Sequence, residues 1–464
     1  MTRLPFALAL CCACASAETQ LAVAIRNAKI VTVSGPVIAR GTVVVRNGLI
    51  EAVGENAAAP ADAWIVEGEG LTIYPGMIDS LSSVGLSSTS SNGASAAGSG
   101  RGGGRGGVQT PPGAAVSAAN PATPSRGPED RPQTTSWVVA ADQISPTDRR
   151  IEIVRGAGIT TAATYLTTGI FAGQGSLINL AAGEKPADMV LVPSIGQYVA
   201  LGRGGFGGGG GGFPGALMGI ISYVRQLYSD ADHYRMVKEL YAKDPRGMQR
   251  PAYDRALEGV LASPRVLLPA NRLVEIDRML RLAADLKQQT VLYGGRESFR
   301  PEAAELLKKS SATVLISMRW PEKSRDADPD EVESFRTLET RDKAASAPAV
   351  LKKAGVRFAL YSDGLEQPRD VQRAVKKAID SGLSREDAVR AMTLSPAEIY
   401  GVADRLGSIE KGKIANLVVT RGEIFDDRTK VEMVFVDGKK YVPPADTPAS
   451  GGRGQGTNDP GGSR

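Results

Sequence analysis

Strand-like and helix-like patterns alternate through the middle of the chain, between two strand-rich ends. Residues 160–166 are rich in β-branched side chains and follow a predicted helix that ends at Gly156 or Gly158. Residues 266–268 form a buried strand, followed by a helix with apolar residues at core spacing. Further predicted strands are 289–293, 312–316 and 356–360, with a predicted helix over 300–309. The alternation predicts an α/β fold with parallel strands, whose C-terminal ends carry the functional groups.

Hairpin signals occur at both ends of the chain. Residues 42–46 and 49–53 flank Asn47-Gly48, and both of these residues accept the positive φ of a type I′ turn. Near the other end, a predicted strand over 431–436 runs into Asp437-Gly438. We therefore expect one small β-domain built from the two chain ends.

The first 17 residues have the features of an export signal. A basic Arg3 precedes an apolar run over 4–14, and Ala15-Ser16-Ala17 is a small-x-small cleavage site. All three cysteines lie within this segment, so cleavage would leave a chain without disulfides or thiolate ligands. We expect an exported protein, periplasmic or extracellular, with acylation of Cys14 as the alternative.

Glycine-rich tracts interrupt the pattern at about 87–136 and 202–215, and residues 444–464 have the same character. Their low apolar content predicts loops and a disordered tail. The formal net charge of +5 is small for 464 residues and does not favour a nucleic-acid partner. After residue 17 no apolar run is long enough to predict a membrane span.

The segment Pro75-Gly76-Met77-Ile78-Asp79 resembles the first barrel strand of the amidohydrolase superfamily. The resemblance runs from residue 24 to 441 outside the glycine-rich tracts. The C-terminal segments that carry it are 361–363, 382–384, 388–393, 395–397, 406–413 and 415–419. It implies a (β/α)8 TIM-like barrel over 75–404 beside a small β-sandwich formed by 18–74 and 405–443. It also implies hydrolysis of non-peptide C–N bonds with zinc or another divalent metal.

The imidazoles that bind this metal in the family are missing. The resemblance puts the first two ligands at Leu81 and Ser83 and the third near Pro269, in the strand end that includes Asn271. The fourth falls near Gly294 or Gly295. Leucine, proline and glycine offer no side-chain lone pair, and a neutral hydroxyl is a poor ligand. We therefore expect no metal cofactor.

The whole chain contains one histidine, His233, in a charged helical stretch. We expect this residue to lie on the solvated surface, and a functional role is the alternative. The glycine-containing segment 171–176 resembles a loop in secreted amidohydrolase relatives. No histidine is available there to act as a base for Ser176, which excludes a serine–histidine triad.

Four charged residues are candidates for a pocket. Asp363 corresponds to the family's catalytic aspartate, or else caps a turn. Asp79 orients a ligand or ties down the turn after its strand. Arg296 and Glu297 pair with each other or fix a ligand carboxylate. As an alternative to a lost metal centre, the three carboxylates could gather a hard cation.

Three functional hypotheses follow from these residues. The first is a catalytically degenerate amidohydrolase homologue that binds a small molecule in the barrel pocket or pairs with an active amidohydrolase. The second is an active hydrolase with a reduced, carboxylate-based metal site or metal-free chemistry at Asp363. The third is a surface protein that associates through its glycine-rich loops. A homo-oligomer is compatible with each of them.

Overall fold

The computed structural model describes residues 22–86, 131–201 and 214–443, apart from residues 182, 184, 324, 325, 327, 329 and 427. The predicted signal segment, most of both glycine-rich tracts and the predicted tail lie outside these ranges. Among the described residues, no helix is both long enough and apolar enough to cross a bilayer.

The strands are β1 (Val23–Ile30), β2 (Ile38–Arg46), β3 (Leu49–Gly54), β4 (Trp64–Glu67), β5 (Thr72–Pro75), β6 (Met77–Ser82), β7 (Ile159–Thr164), β8 (Phe171–Asn179), β9 (Val190–Val199), β10 (Val266–Ala270), β11 (Thr290–Gly294), β12 (Thr313–Ser317), β13 (Arg357–Tyr361), β14 (Leu417–Arg421), β15 (Lys430–Val436) and β16 (Lys439–Tyr441). The helices are α1 (Arg150–Gly156), α2 (Pro186–Met189), α3 (Leu217–Lys243), α4 (Arg255–Ala262), α5 (Leu273–Leu286), α6 (Pro301–Lys309), α7 (Phe335–Lys343), α8 (Ala347–Ala354), α9 (Pro368–Asp380), α10 (Arg385–Met392) and α11 (Leu394–Tyr400).

Strands from the two ends of the chain form one eight-stranded sheet. Its order is β16-β15-β14-β5-β1-β2-β3, and β4 pairs with β1 alongside this path. The two predicted hairpins are present, and all four turn residues have the positive φ of a type I′ turn. The turns contact each other, because a Cβ on Gly438 would lie 2.8 Å from the Cα of Gly48. The sheet therefore folds over a shared apolar core that includes Ile25, Ile73 and Phe435.

The second sheet runs in sequence order from β6 to β13 and forms a nearly closed barrel. Strands β6 and β7 are parallel, as are β9 to β13, but β8 is antiparallel to both of its neighbours. The expectation of a TIM-like barrel holds at the level of a mixed α/β fold with an eight-stranded barrel sheet. The regular alternation of strand and helix fails at β8, which follows β7 without a helix.

The prediction that residues 171–176 form a loop was wrong, because they begin the buried strand β8. Gly173 and Gly175 favoured a loop in the sequence, but in the structure they let neighbouring groups pack closely against a strand. A Cβ on Gly175 would lie 2.2 Å from Cε1 of Tyr165, and one on Gly173 would lie 2.6 Å from the carbonyl oxygen of Val138. The glycines therefore allow close packing inside a strand.

The barrel closes between β6 and β13 through side chains. Ser80 Oγ donates to the carbonyl oxygen of Leu360 at 2.7 Å. Ser362 donates to both carboxylate oxygens of Asp79, from its backbone N–H at 3.0 Å and from its hydroxyl at 2.5 Å. Tyr400 of α11 donates to the carbonyl oxygen of Ser80. The bonds of Ser80 to Leu360 and of Ser362 to Asp79 join the first and last strands, which are the two ends of the sheet order, and Tyr400 fixes α11 to the first.

Apolar side chains fill the interior of the barrel. One cluster includes Ile78, Leu267, Val291, Leu315 and Ala359, contributed by five different strands. A larger cluster lies between the outer face of the sheet and the helices. Because these side chains fill the barrel interior below the C-terminal ends of the strands, the space for a ligand lies at those ends.

We predict that Gly76→Ala destabilises the protein strongly. Gly76 links the two sheets, between β5 and β6, and a Cβ there would lie 2.1 Å from Oγ1 and 2.8 Å from Cβ of the buried Thr160. Overpacking of this kind costs about 2 kcal/mol or more of the free energy of unfolding, which urea denaturation would measure.

The matched control is Gly35→Ala, because the nearest atom to a Cβ at Gly35 is 3.6 Å away. This variant should change the free energy of unfolding by less than about 1 kcal/mol. Equal losses from the two variants would contradict the packing argument.

Candidate functional site

A cavity of about 970 Å³ opens at the C-terminal ends of the barrel strands. Four residues that the sequence analysis singled out line it: Leu81 at the end of β6, Ser83 just beyond it, Arg296 after β11, and Asp363 after β13. Its position is the one expected for the functional site of a parallel barrel.

The other sequence candidates lie outside the lining of this cavity. Pro269 is paired with Tyr293 in the β10–β11 ladder, and Asn271 packs its amide against Gly294. His233 is exposed on α3, as its charged surroundings predicted. Asp79 and Glu297 are buried and bound to other parts of the fold.

Asp79 belongs to the barrel closure. Its carboxylate is 2% exposed and accepts the two hydrogen bonds from Ser362. Burial raises the pKa of Asp79 to about 6, although the hydrogen bonds from Ser362 act in the opposite direction. These contacts support the structural interpretation, in which Asp79 ties the end of the first barrel strand to the last.

Glu297 does not pair with Arg296. Its buried carboxylate accepts a hydrogen bond from the backbone N–H of Leu273, at the start of α5, at 2.9 Å. Two nitrogens of Arg336 on α7 donate to it at 2.8 and 2.9 Å. The carboxylate therefore caps one helix and anchors another, which leaves Arg296 to the cavity.

Asp363 lines the cavity, and a hydrogen bond fixes its carboxylate. Its φ is 51°, and Ser317 Oγ, at the end of β12, donates to Oδ2 at 2.6 Å. Arg296 Nη2 lies 4.0 Å from the same oxygen, beyond hydrogen-bond distance. Arg319 Nε donates to the backbone carbonyl oxygen of Asp363 at 2.9 Å. Arg296 thus lies near the carboxylate of Asp363, and Arg319 binds the backbone of the same residue.

Sequence reasoning missed Arg150, which lies beside Ser83. Its guanidinium donates to Ser83 Oγ at 3.2 Å and to the Ser83 carbonyl oxygen at 2.9 Å. It also pairs with Asp148 at 2.9 Å and with Glu366 at 3.6 Å. An ion-paired guanidinium therefore lies beside Ser83, the residue at one expected metal-ligand position.

Two further arginines and an aromatic wall were also missed. Arg149 and Arg319 line the cavity. The rings of Tyr198 and Tyr293 are stacked there, with centroids 5.0 Å apart and an interplanar angle of 25°. The sequence could have indicated Tyr198, Tyr293 and Arg319 as site residues, because they lie at or just beyond the ends of β9, β11 and β12.

The residues present do not fit an amidohydrolase-type metal centre. Among the described residues, no group of three or more His, Cys, Asp and Glu side chains is arranged to hold a metal ion. The carboxylates proposed as an alternative ligand set are engaged separately, Asp79 by Ser362 and Glu297 by Arg336. Arg150, which donates to Ser83 Oγ, offers only hydrogen-bond donors and cannot ligate a cation.

Comparisons with known proteins agree with the architecture. The family model described as "Amidohydrolase family" matches residues 277–441. An amidohydrolase structure from Thermotoga maritima MSB8 superimposes with a TM-score of 0.70 at 26% identity, covering 91% of this chain and 100% of that one. These matches support the amidohydrolase superfamily.

Two other matches are weaker, one in identity and one in the length that it covers. A Xaa-Pro dipeptidase structure with bound methionine has a TM-score of 0.51 and 13% identity, covering 91% of this chain and 100% of that one, which shows the fold alone. The adenine deaminase of Moorella thermoacetica (strain ATCC 39073 / JCM 9320) is 33% identical over 69 residues. That match covers 15% of this chain and 11% of the deaminase.

We predict that Asp79 makes folding stability fall as pH rises from about 4 to 6. The folded-state pKa of about 6 exceeds the ordinary 3.8, so the folded chain holds this proton more tightly than the unfolded chain. Between pH 4.5 and pH 7 the contribution of Asp79 should fall by about 2 kcal/mol, measured by urea denaturation.

The control is Asp79→Asn, which keeps the shape of the side chain and can accept the backbone N–H of Ser362. The difference in unfolding free energy between wild type and this variant should change with pH over the same interval. A constant difference would show that the pKa of Asp79 is not raised.

Proposed function

We propose that this protein binds a small molecule at the mouth of an amidohydrolase-like barrel and lacks metal-centred hydrolysis. The observation that carries the proposal is the arrangement around Ser83. The 970 Å³ cavity is open there, but Ser83, at one expected ligand position, accepts a hydrogen bond from Arg150. Leu81 stands at the other position of that pair, with no donor atom.

The chemistry of the cavity favours binding over hydrolysis. Metal-dependent hydrolysis uses about three protein ligands to lower the pKa of a bound water. The positions expected to supply them hold leucine, serine, proline and glycine. Four arginines line the cavity instead, and guanidinium groups recognise anions through forked hydrogen bonds.

We further propose that the protein acts outside the cytoplasm, alone or beside an active amidohydrolase. The motive for export is the predicted signal at residues 1–17. A partner is suggested because the barrel core is packed although the expected metal ligands are missing, as in a subunit whose role is not catalytic. Co-purification from the native host would identify a partner, and a protein that purifies alone would count against one.

For export, we expect the protein isolated outside the cytoplasm to begin after Ala17. A signal peptidase recognises small residues at the cleavage site, here Ala15 and Ala17. N-terminal sequencing of the fractionated protein would measure this. A chain that keeps residues 1–17 in the cytoplasmic fraction would contradict export.

For the metal, we expect purified protein to carry far less than one transition-metal ion per chain. The reason is the donor set, because the described residues that line the cavity include no imidazole or thiolate. Elemental analysis by mass spectrometry would measure the ratio. Hydrolysis of Xaa-Pro dipeptides and deamination of adenine should not exceed the buffer rate.

As a control for metal lost during purification, the protein would be equilibrated with zinc and with manganese and desalted before analysis. Stoichiometric retention together with turnover that a chelator abolishes would overturn the proposal. It would favour the reduced carboxylate site instead.

A further inference from the structure

The hydrogen-bond donors of Arg296 that have no partner indicate the kind of ligand that the cavity binds. Its Nε atom is buried and has no hydrogen-bond partner. Its nearest carboxylate, Asp363, lies 4.0 Å from Nη2, and Glu297 is engaged by Arg336. The side chain is 42% exposed on the cavity side of the barrel. A guanidinium held this loosely has donors left for an anion.

The charges around the cavity set the charge of that anion. Three carboxylates, of Asp148, Asp363 and Glu366, face the four lining arginines. Asp148 and Glu366 both pair with Arg150, and Asp363 lies near Arg296, with its backbone bound by Arg319. One net positive charge remains, which matches a monoanion better than a dianionic phosphate.

The aromatic wall sets the shape of the ligand. Tyr198 and Tyr293 present a stacked pair at the same rim as Arg296. The hydroxyl of Tyr293 donates to the carbonyl oxygen of Val199 at 3.0 Å, so its polar end is already used. The aromatic carbons that line the cavity form an apolar surface, against which another ring packs well.

We propose that the cavity binds a small monocarboxylate that carries a planar ring, with the carboxylate on Arg296 and the ring against Tyr198 and Tyr293. This inference rests on the proposed binding function and names its ligand class. The recognition combines a charge-assisted bond from a guanidinium fork with aromatic packing.

The test uses four related probes. Benzoylglycine has the ring and one carboxylate, and its primary amide keeps the ring without the charge. Acetylglycine has the charge without the ring, and phenyl phosphate replaces the carboxylate by a dianion. Isothermal titration calorimetry on the full-length protein should show benzoylglycine binding at least about tenfold more tightly than each of the others.

Arg296→Gln should remove the preference for the acid over the amide, because glutamine keeps hydrogen bonding without the charge. Arg421→Gln is the matched control, since Arg421 lies on the end sheet and is 63% exposed beside Glu432. The control should keep the preference. Thermal unfolding of both variants would check that they fold.

Tyr293→Leu should lower the affinity for benzoylglycine about three- to tenfold and leave acetylglycine unchanged. Tyr293→Phe keeps the ring and should retain most of the affinity. The comparison separates ring packing from the hydrogen bond to Val199.

Equal binding of acid and amide, stronger binding of phenyl phosphate, or no binding of benzoylglycine would each overturn the inference. An unchanged preference in Arg296→Gln would overturn it as well. Failure of the proposed function looks different, because stoichiometric metal and chelator-sensitive turnover would appear with the ligand preference intact.

Discussion

The hydrogen bonds from Ser362 to Asp79 connect the first and last strands of the barrel sheet, and the cavity depends on that connection. They bring the end of β6, with Leu81 and Ser83, next to the end of β13, with Asp363. A buried carboxylate is costly unless hydrogen bonds satisfy it. The backbone N–H and hydroxyl of Ser362 therefore fix the register of the two strands at the point where the site begins.

The described cavity lies at the rim of the barrel, at the C-terminal ends of the strands. Below it, apolar side chains from several strands fill the barrel interior. The rim carries guanidinium groups and tyrosine rings. Arg150 is fixed there by Ser83 and by ion pairs with Asp148 and Glu366. Arg296 and Arg149 also line the rim, and neither has a carboxylate partner within hydrogen-bond distance among the described residues.

Local patterns predicted much of the fold. The hairpins at Asn47-Gly48 and Asp437-Gly438 were predictable because their φ angles depend on the turn residues themselves. Strand β8 was not, because its glycines carry a loop signal locally and a packing function in the fold. The partner of Glu297 could not be predicted either, since Arg336 is 39 residues away, on α7.

The sequence by itself determined the alternation of strands and helices, the strand-rich ends, and the side chains missing from the expected metal positions. These properties are local, because periodicity and residue type act over a few positions. Tertiary structure decided which charges meet at the rim. Arg150 contacts Ser83 because barrel packing brings together segments that are far apart in the chain. Glu297 binds Arg336 instead of the adjacent Arg296 because the fold places α7 beside its carboxylate.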